Sequence, residues 1–269
     1  MSRIALTLSY DGANFAGWQT QPSGLTVQDK LEAAIKSIQG QPVATICAGR
    51  TDAGVHALGQ VVHFDAAVER PLTAWVRGVN AKLPSSIAVH SACSVDAAFN
   101  ARMSATARTY DYLIIESGTR QPLWEGRAGW TFRILDAALM HQAAQFVLGT
   151  HDFTSLRSSQ CQAATPIRTI SECRVVRQEQ FILIRVTANA FLHHMVRNLV
   201  GCLVQIGQGK KPITWMAEVI EQRNRKFAAP TYAPDGLYLT GVEYPSAFGI
   251  PAHLAISPLP TTFSFENTH

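Results

Sequence analysis

An aspartate between two glycines is the first candidate for chemistry. Asp52 lies in the run GRTDAGVHA at residues 49–57, with Arg50 two positions before it. In an extended segment these two side chains share one side, and the arginine favours the ionised carboxylate, which can act as a nucleophile. The flanking glycines allow a tight loop. Because Asp-x-Gly is also common in ordinary turns, the spacing alone favours a turn-stabilising role for Asp52.

Two more segments carry polar side chains that could contribute to a site. A predicted helix carries Arg197 one turn beyond His193, with His194 and Asn198 on a neighbouring stripe, a pattern that also fits a solvated helix face. Tyr110 lies in the middle of a predicted strand, where a tyrosine is commonly a half-buried core residue. Since no HExxH motif or carboxylate cluster accompanies the histidines, we expect no metal site and no cofactor.

The composition indicates a globular protein with a substantial core. The chain has 269 residues, of which 47% are hydrophobic, and a mean hydropathy of +0.05. It has no apolar stretch long enough to span a membrane, and its first residues lack the pattern of a signal peptide, so we expect a cytoplasmic location. The 5 cysteines are widely spaced and never form CxxC, which indicates reduced, buried thiols.

Arginine carries most of the positive charge. The formal net charge is +4, and the sequence contains 17 Arg and 6 Lys. A guanidinium forks onto phosphate oxygens and stacks on bases, so this bias favours contact with RNA. Taken alone, the bias fits a solvated surface equally well.

Alternating strands and helices must position these residues. A 3.6-residue period of apolar residues follows Thr26 and ends at Gly40, and Thr26 and Asp29 are placed as in a capping box. Further helices are predicted at residues 72–82, 136–148, 191–206 and 215–222. Strands are predicted at residues 4–9, 44–48, 60–64, 87–95, 107–115, 168–176, 181–187 and 237–242. Asp52 would then lie at the end of a strand, where scaffolds often present functional groups.

The order of these elements predicts an α+β fold. We expect two similar lobes, each a mostly antiparallel sheet with helices packed on one face, and an active-site cleft between them. The first lobe would span residues 1–103 and contain the Asp52 loop, and the second would span residues 104–250. Residues 251–269 are expected to form a disordered tail. The loop that carries Phe15 and Trp18 is expected to be exposed.

Five segments, in the same order along the chain, resemble the TruA family of tRNA pseudouridine synthases. They span residues 4–245 and comprise YDGANFAGWQ (10–19), GRTDAGVHA (49–57), FNAR (99–102) through Tyr110, FLHHMVR (191–197) and GLYL (236–239). Any one of them is weak, but the ordered set is specific. Leu156 replaces an aromatic residue usual in the family, and Ala190 replaces a glycine; both concern loop packing only.

The resemblance implies isomerisation of uridine to pseudouridine without a cofactor. It reverses the preference for a turn role at Asp52, which becomes the nucleophile, and attack on C6 of uracil or on C1′ both stay open. Arg50 belongs to the same catalytic set, and Arg197 is the cation that keeps Asp52 ionised. Tyr110 stacks on the target base, and its hydroxyl is a candidate to remove or relay the proton on C5.

Other residues take substrate-binding roles by the same resemblance. The uridine must be flipped out of its stack, and Leu237 contacts the face of the base opposite Tyr110, although a strand-core role for Leu237 stays equally open. Phe15 and His193 complete the substrate-binding set, with His194 assigned to RNA contact or to packing. Candidate phosphate contacts are Arg102, Arg108, Lys210 and Lys211. The implied partners are the anticodon arm of tRNA, modified at nucleotides 38, 39 and 40, and a second copy of the chain, with no membrane involved.

Three other functions fit the sequence less well. A module that only binds tRNA would lack the nucleophile, yet Asp52 and its proposed partners are all present. A Ser/His/Asp hydrolase would need a GxSxG elbow, and His151-Asp152 has no poised serine partner. A glycoside hydrolase would need a second matched carboxylate, and none is indicated near Asp52.

Overall fold

The computed structural model describes residues 2–251, which divide into two compact units. Residues 2–108 and 238–251 form the first unit, and residues 109–237 form the second. The sequence placed the boundary at residue 103 and assigned the last strand to the second lobe. Residues 238–243 of that strand belong instead to the first unit. Of the expected tail, residues 252–269 lie outside the described residues.

The first unit is built on a mostly antiparallel sheet. Its strands are β1 (Ser2–Tyr10), β2 (Ile46–Cys47), β3 (His56–Ala66), β4 (Ile87–Val95) and β10 (Leu237–Glu243). They lie in the order β4-β1-β3-β10, with β2 paired to β3. β1 runs antiparallel to β3 and β4, whereas β10 runs parallel to β3, with Tyr238 opposite His56. The mixed α/β class and the mostly antiparallel pairing agree with the fold predicted from the sequence.

Helix α1 (Val27–Gln39) begins and ends at the predicted signals. The Thr26 hydroxyl accepts the N–H of Asp29 at 3.2 Å. Gly40 has a φ of 78°, in the left-handed region, and its N–H donates to the carbonyl of Lys36 at 2.8 Å. The apolar face of the helix is buried and consists of Val27, Leu31, Ala34 and Ile35. Local capping and an amphipathic period therefore account for this helix.

Removing the cap of helix α1 is expected to lower the free energy of unfolding. Thr26→Ala leaves the Asp29 N–H without its hydroxyl acceptor, which costs about 1 kcal/mol. Thr26→Ser keeps an acceptor and should retain most of the stability. Urea denaturation of the three proteins measures both effects, and equal midpoints for Thr26→Ala and the unmodified protein would contradict the assigned cap.

Within residues 107–237, the second unit contains five strands and three α-helices. Its strands are β5 (Ala107–Glu116), β6 (Gly129–Thr131), β7 (Gly149–Asp152), β8 (Ile167–Gln178) and β9 (Phe181–Ala188). They lie in the order β5-β9-β8-β7, and β6 runs parallel to β5. Its helices are α2 (Ala137–Ala144), α3 (Met195–Gly207) and α4 (Trp215–Gln222). The predicted β8–β9 hairpin and the predicted bounds of α4 are confirmed.

Three predicted helices have different bounds in the structure. Helix α3 begins at Met195 and not at residue 191, because His194 has a φ of 64°, which no helical residue adopts. The helix predicted to reach residue 148 ends as α2 at Ala144 and continues as a 3₁₀ turn at Gln145–Val147. The helix predicted at residues 72–82 contains a π-helical turn at Ala74–Gly78.

The strand predicted at residues 44–48 shrinks to the two residues of β2, and neither β6 nor β7 was predicted. Such short strands are fixed by their pairing partners and carry little periodicity of their own. Cysteines 47, 173 and 202 are buried free thiols, as expected, but Cys93 and Cys161 are half-buried. Within residues 2–251, none of the helices has the length and apolarity needed to cross a bilayer.

Candidate functional site

Asp52 lies in the loop between β2 and β3, as the sequence predicted. Its side chain is half-buried and Arg50 is exposed. The carbonyl of Asp52 accepts the N–H of Val55 at 3.1 Å, which closes a turn, and Gly54 within it has a φ of 78°. Asp52 can therefore close the turn through its carbonyl and still present its carboxylate to a substrate.

The loop that follows β1 packs against the Asp52 loop. The N–H of Trp18 donates to the carbonyl of Thr51 at 3.0 Å, and the N–H of Gly54 donates to the carbonyl of Phe15 at 3.4 Å. Phe15 is half-buried, and Trp18 is only 1% exposed. The expectation of an exposed Trp18 was wrong, because its ring lies in the core. The centroids of the Trp18 and Tyr10 rings are 5.9 Å apart.

Two glycines make this packing possible. A Cβ at Gly12 would lie 2.0 Å from the carbonyl oxygen of Val55, and one at Gly17 would lie 2.8 Å from that of Thr51. Gly17 also has a φ of 96°, which strongly favours glycine. In the sequence, Gly12 and Gly17 were noted only as members of the segment YDGANFAGWQ. Close approach of one loop to another depends on tertiary structure, so spacing along the chain did not indicate it.

His56, the first residue of β3, contacts both the loop that follows β1 and strand β10. Its Nδ1 accepts the N–H of Gly12 at 3.0 Å, and its ring stacks on Tyr238 of β10 with centroids 4.6 Å apart. Nδ1 is also 3.2 Å from a carboxylate oxygen of Asp11. Because Nδ1 accepts a backbone N–H, we assign the ring hydrogen to Nε2, and the Asp11 contact is then not an ion pair.

Arg108 has a structural role in the first unit. It is only 8% exposed, and its guanidinium donates to the carbonyls of Ala48, at 3.1 Å, Ala105, at 3.0 Å, and Arg102. A guanidinium engaged in this way on backbone carbonyls is poorly placed for RNA, so the prediction that Arg108 contacts phosphate is withdrawn. Arg102, in contrast, is exposed.

Tyr110 lies on β5 in the second unit and is 7% exposed. Its ring meets Phe191 edge to face, with centroids 5.1 Å apart and planes at 85°. The next residue, Asp111, is 1% exposed and forms two hydrogen bonds with Arg185, at 2.8 and 2.7 Å. Burial raises the pKa of Asp111, and the guanidinium of Arg185 opposes that shift. These contacts hold the backbone and ring of Tyr110 in one orientation.

Arg197 lies in the first turn of helix α3. Its Nε donates to the carbonyl of Tyr232 at 2.9 Å, and its own carbonyl accepts the N–H of Tyr232 at 3.2 Å. The neighbouring Asn198 is fully buried and bonds to the Leu156 carbonyl at 2.7 Å and to Arg225 at 3.0 Å. The prediction that His194 and Asn198 form a polar helix face is therefore wrong. Asn198 lies in the core, and its hydrogen bonds fix the start of helix α3.

The remaining predicted residues of the second unit differ in exposure. His193 and His194 are half-buried, precede helix α3 and have ring centroids 3.9 Å apart. Leu237, the first residue of β10 and the last of the second unit, is 5% exposed. Lys210 and Lys211 are exposed. Each unit thus holds part of the predicted site, with Asp52 in the first and Tyr110 and Arg197 in the second.

A family model and the relatives that match this chain carry the same description. A family model described as tRNA pseudouridine synthase matches residues 7–103 and 143–245. The chain is 55% identical over 251 residues to tRNA pseudouridine synthase A of Bordetella parapertussis, covering 93% of each chain. It is 52% identical over 263 residues to the protein of that name from Ralstonia nicotianae, covering 96% of each. A chain from a Cbf5-Nop10-Gar1 complex aligns with 84% of this chain and 60% of its own, at 13% identity and a TM-score of 0.33, too low to carry an argument.

Proposed function

This chain belongs to the tRNA pseudouridine synthase family, and from that premise we propose that it isomerises uridine to pseudouridine in the anticodon arm of tRNA, at nucleotides 38, 39 and 40. The observation that carries the proposal is the half-buried Asp52 in its family motif, on a loop held by backbone hydrogen bonds and by two close-packed glycines. A loop held in this way fixes the position of the carboxylate, while the half-buried side chain stays accessible to a substrate.

The reaction breaks the bond from N1 to C1′, turns the uracil and joins C5 to C1′. C5 loses its proton and N1 gains one, so no atom is added overall. In our proposal the Asp52 carboxylate forms a transient bond either to C6 or to C1′, which divides one difficult step into easier ones. We assign Arg50, two positions before Asp52, and Arg197 as the cations that position this carboxylate.

Tyr110 and Leu237 form the proposed binding surfaces for the uracil. A base must leave its stack to meet a carboxylate, and it then needs apolar surfaces on both faces. The support for Tyr110 is its fixed ring, which Phe191 meets edge-on. Its hydroxyl would accept or relay the C5 proton after the new bond forms.

Exposed cations would hold the tRNA backbone. We assign this role to Arg102, Lys210 and Lys211, which are all exposed, and leave out the buried Arg108. Half-buried Phe15 and His193 would contact the RNA close to the target nucleotide. By the same resemblance we propose that the enzyme acts as a cytoplasmic homodimer.

Tritium release tests the activity directly. The substrate is an anticodon-arm transcript with uridine at nucleotides 38–40, labelled with tritium at C5, and the matched control carries cytidine at those nucleotides. We expect release with the first transcript, because only C5 of an isomerised uridine loses its hydrogen, and background release with the second. Binding of the transcript without release from any uridine would refute the proposal and indicate a tRNA-binding module.

A further inference from the structure

A buried chain of hydrogen bonds runs from β3 through β1 to the residue before Asp52. Gln60 on β3 is fully buried, Tyr10 at the end of β1 is 4% exposed, and Thr51 is 6% exposed. The Gln60 Nε2 donates to the Tyr10 hydroxyl at 3.4 Å, and that hydroxyl is 2.8 Å from Oγ1 of Thr51. Tyr10 and Thr51 lie in two of the family-like segments, but no role was predicted for either of them or for Gln60.

The orientation of the Gln60 amide follows from its neighbours. Nε2 donates to the carbonyl of Gly49 at 2.6 Å, and Oε1 accepts the N–H groups of Gly49, at 3.4 Å, and Val61, at 3.2 Å. Reversing the amide would set the carbonyl oxygens of Gln60 and Gly49 against each other. In this orientation Nε2 donates to the Tyr10 oxygen, so the hydrogen of the Tyr10 hydroxyl is left to donate to Oγ1 of Thr51. The Tyr10 hydroxyl then accepts one hydrogen bond and donates one.

The anchors of this chain lie directly before Asp52. Gln60 fixes the backbone of Gly49 on both its N–H and its carbonyl, and Tyr10 fixes the side chain of Thr51. Arg50 lies between these two anchored residues. The Thr51 carbonyl is fixed as well, by the N–H of Trp18 at 3.0 Å. The direction in which Arg50 and Asp52 leave the backbone therefore depends on these bonds.

A local irregularity of the sheet supports a positioning role. Leu8 pairs with Gln60, but Tyr10 pairs with Ala57, so the β1–β3 register shifts between these pairs. Bulges of this kind re-aim side chains and are frequent next to active sites. Phenylalanine and valine would fill similar space at positions 10 and 51 without any polar group to satisfy. A buried network of hydrogen-bonded side chains can favour one arrangement of the surrounding backbone over similar alternatives.

We propose that Gln60, Tyr10 and Thr51 are positioning residues that hold Asp52, and with it Arg50, in the orientation needed for attack on uridine. This inference rests on the proposed function of Asp52. Since positioning matters only once the substrate is bound, loss of the hydrogen-bonded chain should slow the chemical step and leave tRNA affinity nearly unchanged.

The test uses single-turnover tritium release from an anticodon-arm transcript, with transcript affinity and thermal unfolding measured on the same proteins. Tyr10→Phe and Thr51→Val each remove one hydroxyl of the chain, and both should slow release by about 10- to 100-fold. The dissociation constant should change by less than about threefold. Thr51→Ser restores a hydroxyl and should recover most of the rate. The double variant should be little slower than either single one, because both break the same link.

Two further variants separate the possible causes of failure. Tyr244→Phe removes another hydroxyl of the first unit, which donates to the Ala101 carbonyl at 2.6 Å, and should keep the unmodified rate. A loss in Tyr244→Phe as large as in Tyr10→Phe, an unmodified rate in both Tyr10→Phe and Thr51→Val, or no recovery in Thr51→Ser would overturn the positioning role. Asp52→Asn tests the nucleophile independently: if it still forms pseudouridine, the proposed function of Asp52 fails and the positioning role fails with it.

Discussion

Asp52→Ala is expected to reduce tritium release from the anticodon-arm transcript by at least about 10⁴-fold, the scale seen when a nucleophile is removed. Transcript affinity should stay within about threefold, because binding is assigned to other residues. Asp52 is half-buried and its carbonyl, not its carboxylate, closes the turn to Val55. Truncating the side chain therefore leaves the hydrogen bond of the turn in place, and the fold should persist.

A matched control is Asp65→Asn. Asp65 belongs to the same unit, and its carboxylate pairs with Arg3 at 2.8 Å on the surface. The hydrogen bond from Arg3 lowers the pKa of Asp65, whose carboxylate is charged at neutral pH. Asp65→Asn should release tritium at close to the unmodified rate. Substantial release by Asp52→Ala would show that another group carries out the attack.

Gly12→Ala should have the largest effect on stability among the changes considered. The added Cβ would lie 2.0 Å from the Val55 carbonyl oxygen and 2.5 Å from its carbon, so backbone must move against backbone. Overpacking of this severity costs about 3 kcal/mol. The hydrogen bond from Gly12 N–H to His56 at 3.0 Å would be lost or stretched as well. We expect a lower urea midpoint together with slower tritium release, since the displaced segment borders Asp52.

Gly118→Ala is the control for this change. A Cβ at Gly118 meets no atom within 4 Å, and its φ is not positive, so its effect should fall within about 0.5 kcal/mol of the unmodified protein. Equal urea midpoints for Gly12→Ala and Gly118→Ala would mean that the two loops are less closely packed than the structure indicates.

Elements defined by local signals were predictable from the sequence. Helix α1 has its cap, its apolar period and its terminal glycine within one short segment, and the β8–β9 hairpin joins neighbouring strands. The placement of Asp52 in a loop between two strands also followed from the pattern, although β2 ends at Cys47 and Asp52 does not adjoin a strand. Its chemistry did not follow from spacing, because Asp-x-Gly is equally a turn signal; it required the resemblance of several motifs taken together.

Features that depend on distant parts of the chain were missed. The start of helix α3 is set by the left-handed conformation of His194, which an apolar period cannot reveal. Arg108 has the sequence signature of a surface cation, but backbone carbonyls surround it. Gln60 and Tyr10 become a pair only when β1 and β3 lie side by side. Trp18 was placed in an exposed loop for the same reason, since its burial comes from residues outside that loop.

The parallel pairing of β10 with β3 has a consequence for protein synthesis. β3 begins at His56, immediately after the Asp52 loop, and its neighbour on one side is encoded close to the end of the described chain. A nascent chain leaves this edge of β3 open at His56 and Ala57 until residues 237–243 have left the ribosome, and open strand edges favour wrong pairing. Residues 109–236 of the second unit are translated before that strand is synthesised. A chain that stops before residue 237 leaves the Asp52 loop next to a strand whose first residues are paired on one edge only.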